Sequence, residues 1–309
     1  MNWKRLGKIF DLDELKGENY ISHTQVPTPI VMGDFIRVFY SSRDGNGRSN
    51  VLYFDFDIEN NLLLNSIEES VIDKSKPGTF DEDGIMPGFI IKYNDRFLLY
   101  YSGWNEKVST PYHNSTGLAV SDDCSTFVRL FDGPVLDRIA TEPFLAVTPT
   151  ILIENDIWKM WYISGLGWEM VDDRFEPVYT IKYAESLDGV NWVRPSQIII
   201  PHTSKDEVFS HPSVIKIGGV YHMWFCYRKI YDYRDGNNAY QIGYAYSKDS
   251  KNWIRDDEKC GLISNSISEW ESKMVCYPSV FEYKSSVYMV YNGNYFGKGG
   301  IGLAILEKY

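Results

Sequence analysis

An internal repeat of about sixty residues is the feature that most limits what this chain can fold into. Five times, a proline begins a short apolar strand, which is followed by a turn and then by an aromatic strand. These prolines stand 58, 62, 63 and 66 residues apart, and they are Pro29, Pro87, Pro149, Pro212 and Pro278. Because five such units account for nearly all 309 residues, the repeat predicts one domain over 1–309 rather than two.

Within a unit, the aromatic strand leads through a polar loop to a third strand, as in residues 241–247 (QIGYAYS). A turn follows, with the sequence SLDGVNW at residues 186–192 and related sequences at 247–253 and 121–127. Asp and Gly provide the turn conformation and the side-chain hydrogen bond, and the closing aromatic residue begins a fourth strand. Four antiparallel strands in a unit of this length are typical of a propeller blade.

The fifth unit ends after its third strand and would leave an exposed edge. The start of the chain can supply the missing strand, because Asn2-Trp3-Lys4-Arg5 matches residues 191–194 and 252–255. We therefore expect an all-β, five-bladed β-propeller with four antiparallel strands per blade, closed by an N-terminal strand over 2–8. The blades are expected at residues 20–75, 80–138, 142–201, 206–262 and 270–309. The alternative is a β-sandwich with coincidental spacing.

The proline-led strands, together with the motifs Tyr-x-Ser-Gly and Ala-x-Ser-x-Asp-Gly-x-x-Trp, resemble the five-bladed β-propeller glycosidase superfamily, which includes glycoside hydrolase families 43, 32, 62, 117 and 130. The turn motif is also similar to the Asp-box of sialidases, but their propellers have six blades. The resemblance implies acidic residues in a central funnel, often an Asp directly before the strand proline. This chain departs from that pattern, because Thr28, Met86, Thr148, His211 and Tyr277 occupy those positions. We therefore expect a divergent member.

Acidic residues do occur slightly upstream of four of the prolines. Glycoside cleavage needs two carboxyl groups, one to protonate the leaving oxygen and one to activate water or attack carbon. We predict Asp83 and Glu207 as the leading catalytic pair, with Glu142 and Glu271 as further candidates. The alternative for each acid is a loop residue that caps a turn or faces water.

His211 stands directly before Pro212, and imidazole can transfer a proton near neutral pH. One propeller glycosidase family is thought to use a His as its acid, so His211 is a fifth catalytic candidate. The alternatives are a hydrogen bond to a substrate hydroxyl or an axial ion such as calcium. No other cofactor and no metal site are expected.

Seven further residues are predicted to contact substrate. Trp rings stack on the apolar face of a pyranose, and Arg can fork onto a carboxylate or phosphate. The alternatives are packing for the Trp residues and ion pairs for the Arg residues. The predicted substrate-binding residues are His23, Gln25, Arg43, Asp81, Trp104, Trp168 and Arg228.

The charge balance narrows the range of partners. With 31 basic and 42 acidic residues the net charge is −11, which argues against nucleic acid and anionic membranes. No stretch approaches the roughly 20 apolar residues of a membrane span. Asp11 and Asp13 interrupt what would be the apolar part of a signal peptide, so we expect a cytoplasmic protein. The four cysteines lack C-x-x-C spacing, which predicts free thiols and no zinc site.

Two functions from different classes follow. The first is a carbohydrate-active enzyme that cleaves a glycosidic bond in an oligosaccharide or a sugar-containing small molecule, as an inverting hydrolase or a related phosphorylase. The alternative is a non-catalytic or repurposed propeller that binds a sugar or nucleotide sugar in polysaccharide metabolism. A third hypothesis, calcium-dependent nucleotide hydrolysis, rests on the number of acidic residues alone.

Overall fold

The computed structural model describes residues 1–14, 20–73, 75–234 and 236–308. These residues form an almost entirely β structure, which confirms the all-β prediction. The strands are β1 (Asn2–Phe10), β2 (Tyr20–Val31), β3 (Ile36–Asp44), β4 (Ser49–Asp57), β5 (Leu62–Ser66), β6 (Gly84–Tyr93), β7 (Arg96–Glu106), β8 (Tyr112–Ser121), β9 (Val128–Arg129), β10 (Ala146–Glu154), β11 (Ile157–Val171), β12 (Arg174–Ser186), β13 (Glu207–Ile217), β14 (Val220–Lys229), β15 (Gln241–Ser247), β16 (Ile254–Arg255), β17 (Cys276–Tyr283), β18 (Ser286–Asn292) and β19 (Ile301–Lys308). The helical segments are 3-10 turns at Leu12–Glu14, Asp257–Lys259 and Glu269–Glu271 and one turn, α1, at Asn294–Gly297.

Strands that follow one another in the chain pair in antiparallel groups. The fourth group is a separate sheet of order β13-β14-β15-β16, and the fifth has the order β1-β19-β18-β17. The first (β2–β5), second (β6–β9) and third (β10–β12) groups share one sheet, joined by single parallel bridges, Ser49–Gly84 and Ser115–Ala146. The strand that begins each group, here called a leading strand, contacts the leading strands of two other groups: β2 contacts β6, β6 contacts β10, β10 contacts β13, β13 contacts β17, and β17 contacts β2.

Each leading strand has a β-bulge at or beside a proline, opposite an aromatic residue of the next strand. In four of them the residue before the proline has a left-handed backbone, a conformation that costs non-glycine residues energy. In the first group this residue is Val26, before Pro27, because the register breaks between the pairs Gln25–Ser41 and Thr28–Phe39. The repeat therefore begins two residues earlier than Pro29 in the first unit. The other three left-handed residues are Thr148, His211 and Tyr277.

The turns between third and fourth strands have the expected side-chain hydrogen bonds. The Asp188 carboxylate accepts the N–H groups of Val190 and Asn191, each at 2.8 Å. Asp123 and Asp249 accept the corresponding N–H groups in the second and fourth groups. The sequence prediction for these turns is confirmed.

The start of the chain is joined to its end. Strand β1 pairs antiparallel with β19, from Asn2 opposite Lys308 to Phe10 opposite Ile301. Trp3 is buried, and its ring meets that of Trp224 edge-on at 5.3 Å in the core between the fourth and fifth groups. Strand β1 thus anchors the last group through both backbone pairing and aromatic packing.

Among the described residues, no helix is long and apolar enough to cross a lipid bilayer.

Replacing Trp3 by Ala should lower the free energy of unfolding by about 4 kcal/mol, because it removes a buried ring and leaves a cavity beside Trp224. The matched control is Leu6→Ala in the same strand, where the side chain is exposed and the expected loss is below about 1 kcal/mol. Chemical denaturation of both variants tests this, and equal losses would contradict the anchoring role of Trp3.

Candidate functional site

Four of the predicted acids are buried, and each lies against an arginine from the end of its own group. We call this contact an acid latch: a buried carboxylate before or at the start of a leading strand, that arginine and, in three of the four groups, a tyrosine of the second strand. The latches are Asp81–Tyr101–Arg129, Glu142–Tyr162–Arg194, Glu207–Arg255 and Glu271–Tyr291–Arg5. The last latch uses an arginine of β1, which pairs with β19.

The latches differ in detail. Asp81 accepts hydrogen bonds from Tyr101 at 3.1 Å and from Arg129 Nε at 2.8 Å. Glu207 has no tyrosine partner, because Phe225 occupies that position, and it is instead held by two Arg255 hydrogen bonds of 2.8 Å.

In the fifth group, Glu271 accepts a hydrogen bond from the Tyr291 hydroxyl at 2.8 Å and another from Arg5 Nε at 3.1 Å. In the third group, Glu142 accepts hydrogen bonds of 2.8–3.0 Å from three hydroxyl groups, those of Tyr162, Ser164 and Ser196.

In two latches, the pKa of the acid is shifted in a definite direction. Burial raises the pKa of Glu207, but the hydrogen bonds from Arg255 and from the Thr203 N–H outweigh it and hold the pKa below its ordinary value. The same balance of burial and Arg129 hydrogen bonding lowers the pKa of Asp81. A general acid in glycoside cleavage needs a raised pKa. These contacts therefore favour a structural role for the latched acids, and their roles in catalysis or substrate binding stay predictions.

Asp83 lies outside the latches. It accepts the Glu106 N–H at 2.9 Å, its side chain is 23% exposed, and Arg48 Nη2 is 4.0 Å from its Oδ1. Its backbone N–H donates to the carbonyl of Trp104, whose indole N–H donates to Ser49 Oγ at 2.6 Å. Arg43 is exposed at the end of β3. Among the described residues, no hydrogen bond joins Asp83 to another of the predicted catalytic acids, and the pairing of Asp83 with Glu207 stays a prediction.

Residues at the bulges of the leading strands do come together. Gln25 Nε2 donates to Tyr277 Oη at 3.2 Å, and the His211 ring meets the Tyr277 ring edge-on at 5.5 Å. His211 Nε2 lies 3.3 Å from Ser279 Oγ, while its buried Nδ1 has no partner within the described part of the chain. His23 is also buried and contacts Ser22 Oγ at 2.9 Å.

Both histidines are neutral at pH 7. Burial lowers the pKa of His211 to about 3. Burial, followed by the positive charges of Arg43 and Lys298, lowers the pKa of His23 to about 4. Neutral imidazoles can both donate and accept a hydrogen bond, so these two residues suit hydroxyl groups.

Tyrosine rings extend this cluster towards the third group. The Tyr240 ring is 6.0 Å from Tyr277, its hydroxyl is 3.1 Å from that of Tyr179, and Trp168 meets Tyr112 edge-on at 5.1 Å. We call these five side chains the aromatic wall. Trp168 is among the residues predicted from the sequence, and the four tyrosines are not. Three of the tyrosines have a positional signal, because Tyr112 and Tyr277 lie at the start of β8 and β17 and Tyr240 directly precedes β15.

Arg228 is buried inside this region, and its predicted contact with substrate stays a prediction. It is 2% exposed, with its guanidinium 3.7 Å from the Tyr233 ring centroid. It donates to Tyr240 Oη at 3.1 Å and to the carbonyl of Pro177 at 3.0 Å. Since Pro177 is on β12 and Arg228 on β14, this side chain joins the third group to the fourth and positions the aromatic wall.

A channel of about 520 Å³ runs along the leading strands and is lined by residues of all five. His211 lies between the channel and the aromatic wall. Calcium takes six to eight oxygen ligands, usually including carboxylates. Among the described residues, His211 hydrogen-bonds to Ser279 and its ring meets that of Tyr277, and neither of these partners offers the carboxylate that the axial calcium considered above usually takes. The described residues contain no group of three or more His, Cys, Asp or Glu side chains arranged to hold a metal.

Replacing Glu207 by Gln should destabilise the fold by about 3 kcal/mol at pH 7, because Arg255 loses a buried ionic partner. Since the folded pKa of Glu207 is depressed, its contribution is complete above the unfolded value of about 4.3 and disappears as pH falls through the folded value. The stability difference between wild type and variant should therefore shrink below about pH 4. Glu258→Gln, at an exposed acid of the same group, is the control. A pH-independent difference would contradict the ionic latch.

Comparison with known proteins gives the relatives of the chain. No protein-family profile matches the sequence. Two uncharacterized proteins of Mycobacterium tuberculosis, MT1551 of strain CDC 1551 and Rv1502 of strain H37Rv, are each 34% identical over 315 residues, covering 100% of both chains.

Solved structures share the fold at lower identity. One glycoside hydrolase has a TM-score of 0.73 and 20% identity, covering 99% of this chain and 92% of the other. A thermostable family-43 glycoside hydrolase has a TM-score of 0.67 at 19% identity, with 97% and 94% covered. An exo-1,5-alpha-L-arabinanase from a bovine ruminal metagenomic library has a TM-score of 0.64 at 14% identity, with 94% of each chain covered.

The resemblance to glycoside hydrolases seen in the sequence is thus confirmed at the level of the fold. The chain is a divergent protein with the propeller fold of glycoside hydrolases, and it belongs to the same family as MT1551 and Rv1502 of Mycobacterium tuberculosis.

Proposed function

We propose that the five strand groups are the five blades of one propeller domain over 1–309, closed by β1 on β19. The order of contacts among the leading strands supports this, because each leading strand has two neighbours in the set. The acid latches support it as well, since Arg5 of β1 contacts Glu271 as the outer arginines of three other groups contact their acids. Strand β1 thus takes the place of an outermost strand.

We infer that the protein binds a sugar-containing ligand where the leading strands begin. The observation that carries this is the convergence of neutral polar groups with aromatic rings: Gln25 and His211 contact Tyr277, and Tyr277 adjoins the rest of the aromatic wall. Amide and imidazole groups exchange hydrogen bonds with hydroxyls, and aromatic faces pack on the C–H face of a pyranose. The glycoside hydrolase fold of the solved relatives makes a carbohydrate the preferred ligand class.

Binding fits the site better than hydrolysis by two carboxylates. The bulge positions, where the superfamily resemblance implies acids, are occupied by Val26, Met86, Thr148, His211 and Tyr277. Four of the acids nearby are held in latches, and the pKa values of two of these, Asp81 and Glu207, are lowered, which favours the ionised form. A carboxylate held in this way cannot readily donate a proton to a leaving group.

Cleavage of a glycosidic bond by hydrolysis or phosphorolysis is a second candidate. Two observations favour it: Asp83 is partly exposed and outside the latches, and His211 presents a buried Nδ1 without a partner among the described residues. A neutral imidazole can accept a proton from an attacking oxygen, and a carboxylate can stabilise the positive charge that develops on the sugar.

Replacing Gln25 by Ala should weaken sugar binding about tenfold. The reason is that the variant loses a hydrogen bond to the sugar and also the contact that orients Tyr277. Titration calorimetry against monosaccharides, oligosaccharides and nucleotide sugars would identify the ligand and measure the loss. The control, Gln197→Ala, alters an exposed glutamine and should bind as wild type does. Absence of binding across the panel, or equal affinity of the two variants, would contradict the proposed site.

Product formation should be absent when the bound sugars are incubated with the protein, with or without phosphate. If product does form, the second candidate predicts that Asp83→Asn lowers its rate by about 10³-fold while the neighbouring Glu82→Gln leaves it unchanged. Glu82 accepts a backbone N–H from Gly78 and provides the matched control. Turnover that depends on Asp83 would overturn the binding-only proposal.

A further inference from the structure

A buried lysine distinguishes the third group from the others. Lys182 of β12 lies opposite Tyr162 in the ladder, and the residue opposite the corresponding aromatic is Gly117, Gly243 or Gly302 in the second, fourth and fifth groups. A Cβ on Gly117 would overlap the Tyr101 ring, so those groups have no space for a side chain there. The lysine therefore marks a local difference in how the third latch is built.

Two cations surround one carboxylate in this latch. Lys182 Nζ is 3.9 Å and Arg194 Nη1 is 3.6 Å from Glu142, and the three side chains are only 5%, 6% and 1% exposed. Glu142 already accepts hydrogen bonds from the hydroxyls of Tyr162, Ser164 and Ser196. The enclosed cluster thus carries one excess positive charge.

The arginine of this latch also lacks hydrogen bonds that its counterparts make. Arg194 Nη1 is buried and has no partner among the described residues. Arg129, Arg255 and Arg5 each donate both to the acid of their own latch and to at least one further acceptor. A buried guanidinium N–H without a hydrogen-bond acceptor is costly, and a second cation nearby adds to the cost. Burial lowers the pKa of Lys182. The negative charge of Glu142 opposes this shift, and the positive charge of Arg194 adds to it.

We propose that Lys182 and Arg194 bind a small inorganic anion of the chloride type beside Glu142. Such an anion accepts hydrogen bonds from both cations, brings the cluster to neutrality and needs no donor in return. The enclosure of the side chains favours a monatomic ion over an organic one. The site is independent of the proposed sugar site, but it lies on β12, the strand that carries Tyr179 of the aromatic wall.

A bromide soak of crystals of the full chain provides the direct test. The expected result is an anomalous scattering peak within contact distance of both Lys182 Nζ and the Arg194 guanidinium. In solution, the melting temperature of the wild type should rise by about 3 °C when chloride replaces gluconate at constant ionic strength. Lys182→Met should abolish this difference. The control is Lys251→Met, which removes an exposed lysine paired with Glu185, a residue of the same strand as Lys182. This variant should retain the chloride effect.

Absence of the bromide peak from this position would overturn the proposal. So would equal melting temperatures in chloride and gluconate, or a chloride effect that survives in Lys182→Met. If Lys182→Met does not fold, Lys182→Arg takes its place: retention of the chloride effect supports the site and its loss contradicts it. The wild-type measurements do not depend on either variant.

Discussion

The buried ion pair between an acid at a leading strand and an arginine at the end of the same group is the contact on which the rest of this structure depends. In the fourth group, Glu207 and Arg255 meet through two hydrogen bonds with little access to water. Breaking such a pair leaves an uncompensated buried charge, so the pair holds the beginning and the end of a group in one arrangement. The same interaction explains why Asn-Trp-x-Arg recurs, and why Arg5 near the start of the chain contacts Glu271 near its end.

In the proposed function, the latched acids are structural and take no part in chemistry. The fold is that of the glycoside hydrolases, but a fold does not by itself determine an activity. Where the leading strands begin, the chain places Gln25, two neutral histidines and Tyr277. Such a site can recognise hydroxyl groups without the paired carboxyls that hydrolysis requires. The proposed sugar-binding role follows because the charged acids are held in the latches, whereas the polar side chains that would contact a ligand are neutral.

The sequence predicted those features that depend on local pattern. The repeat, the Asp-based turns and the match between residues 2–5 and the outer strands all depend on spacing within a few residues, and the structure contains the corresponding β1–β19 ladder. The latches were missed because their partners are far apart in sequence, 48 residues for Asp81 and Arg129 and 266 for Arg5 and Glu271. Spacing also could not distinguish Pro27 from Pro29, since only the backbone register shows which one lies at the bulge.

A carbon-13 NMR titration of the side-chain carboxyls tests most directly the claim that the latched acids are structural. With Asp81 and Glu207 assigned by substitution, both should remain ionised at neutral pH and titrate below the ordinary ranges for Asp and Glu, because their arginines stabilise the charged form. Titration of either carboxyl near neutral pH would contradict this account, since it would reveal an acid prepared to donate a proton.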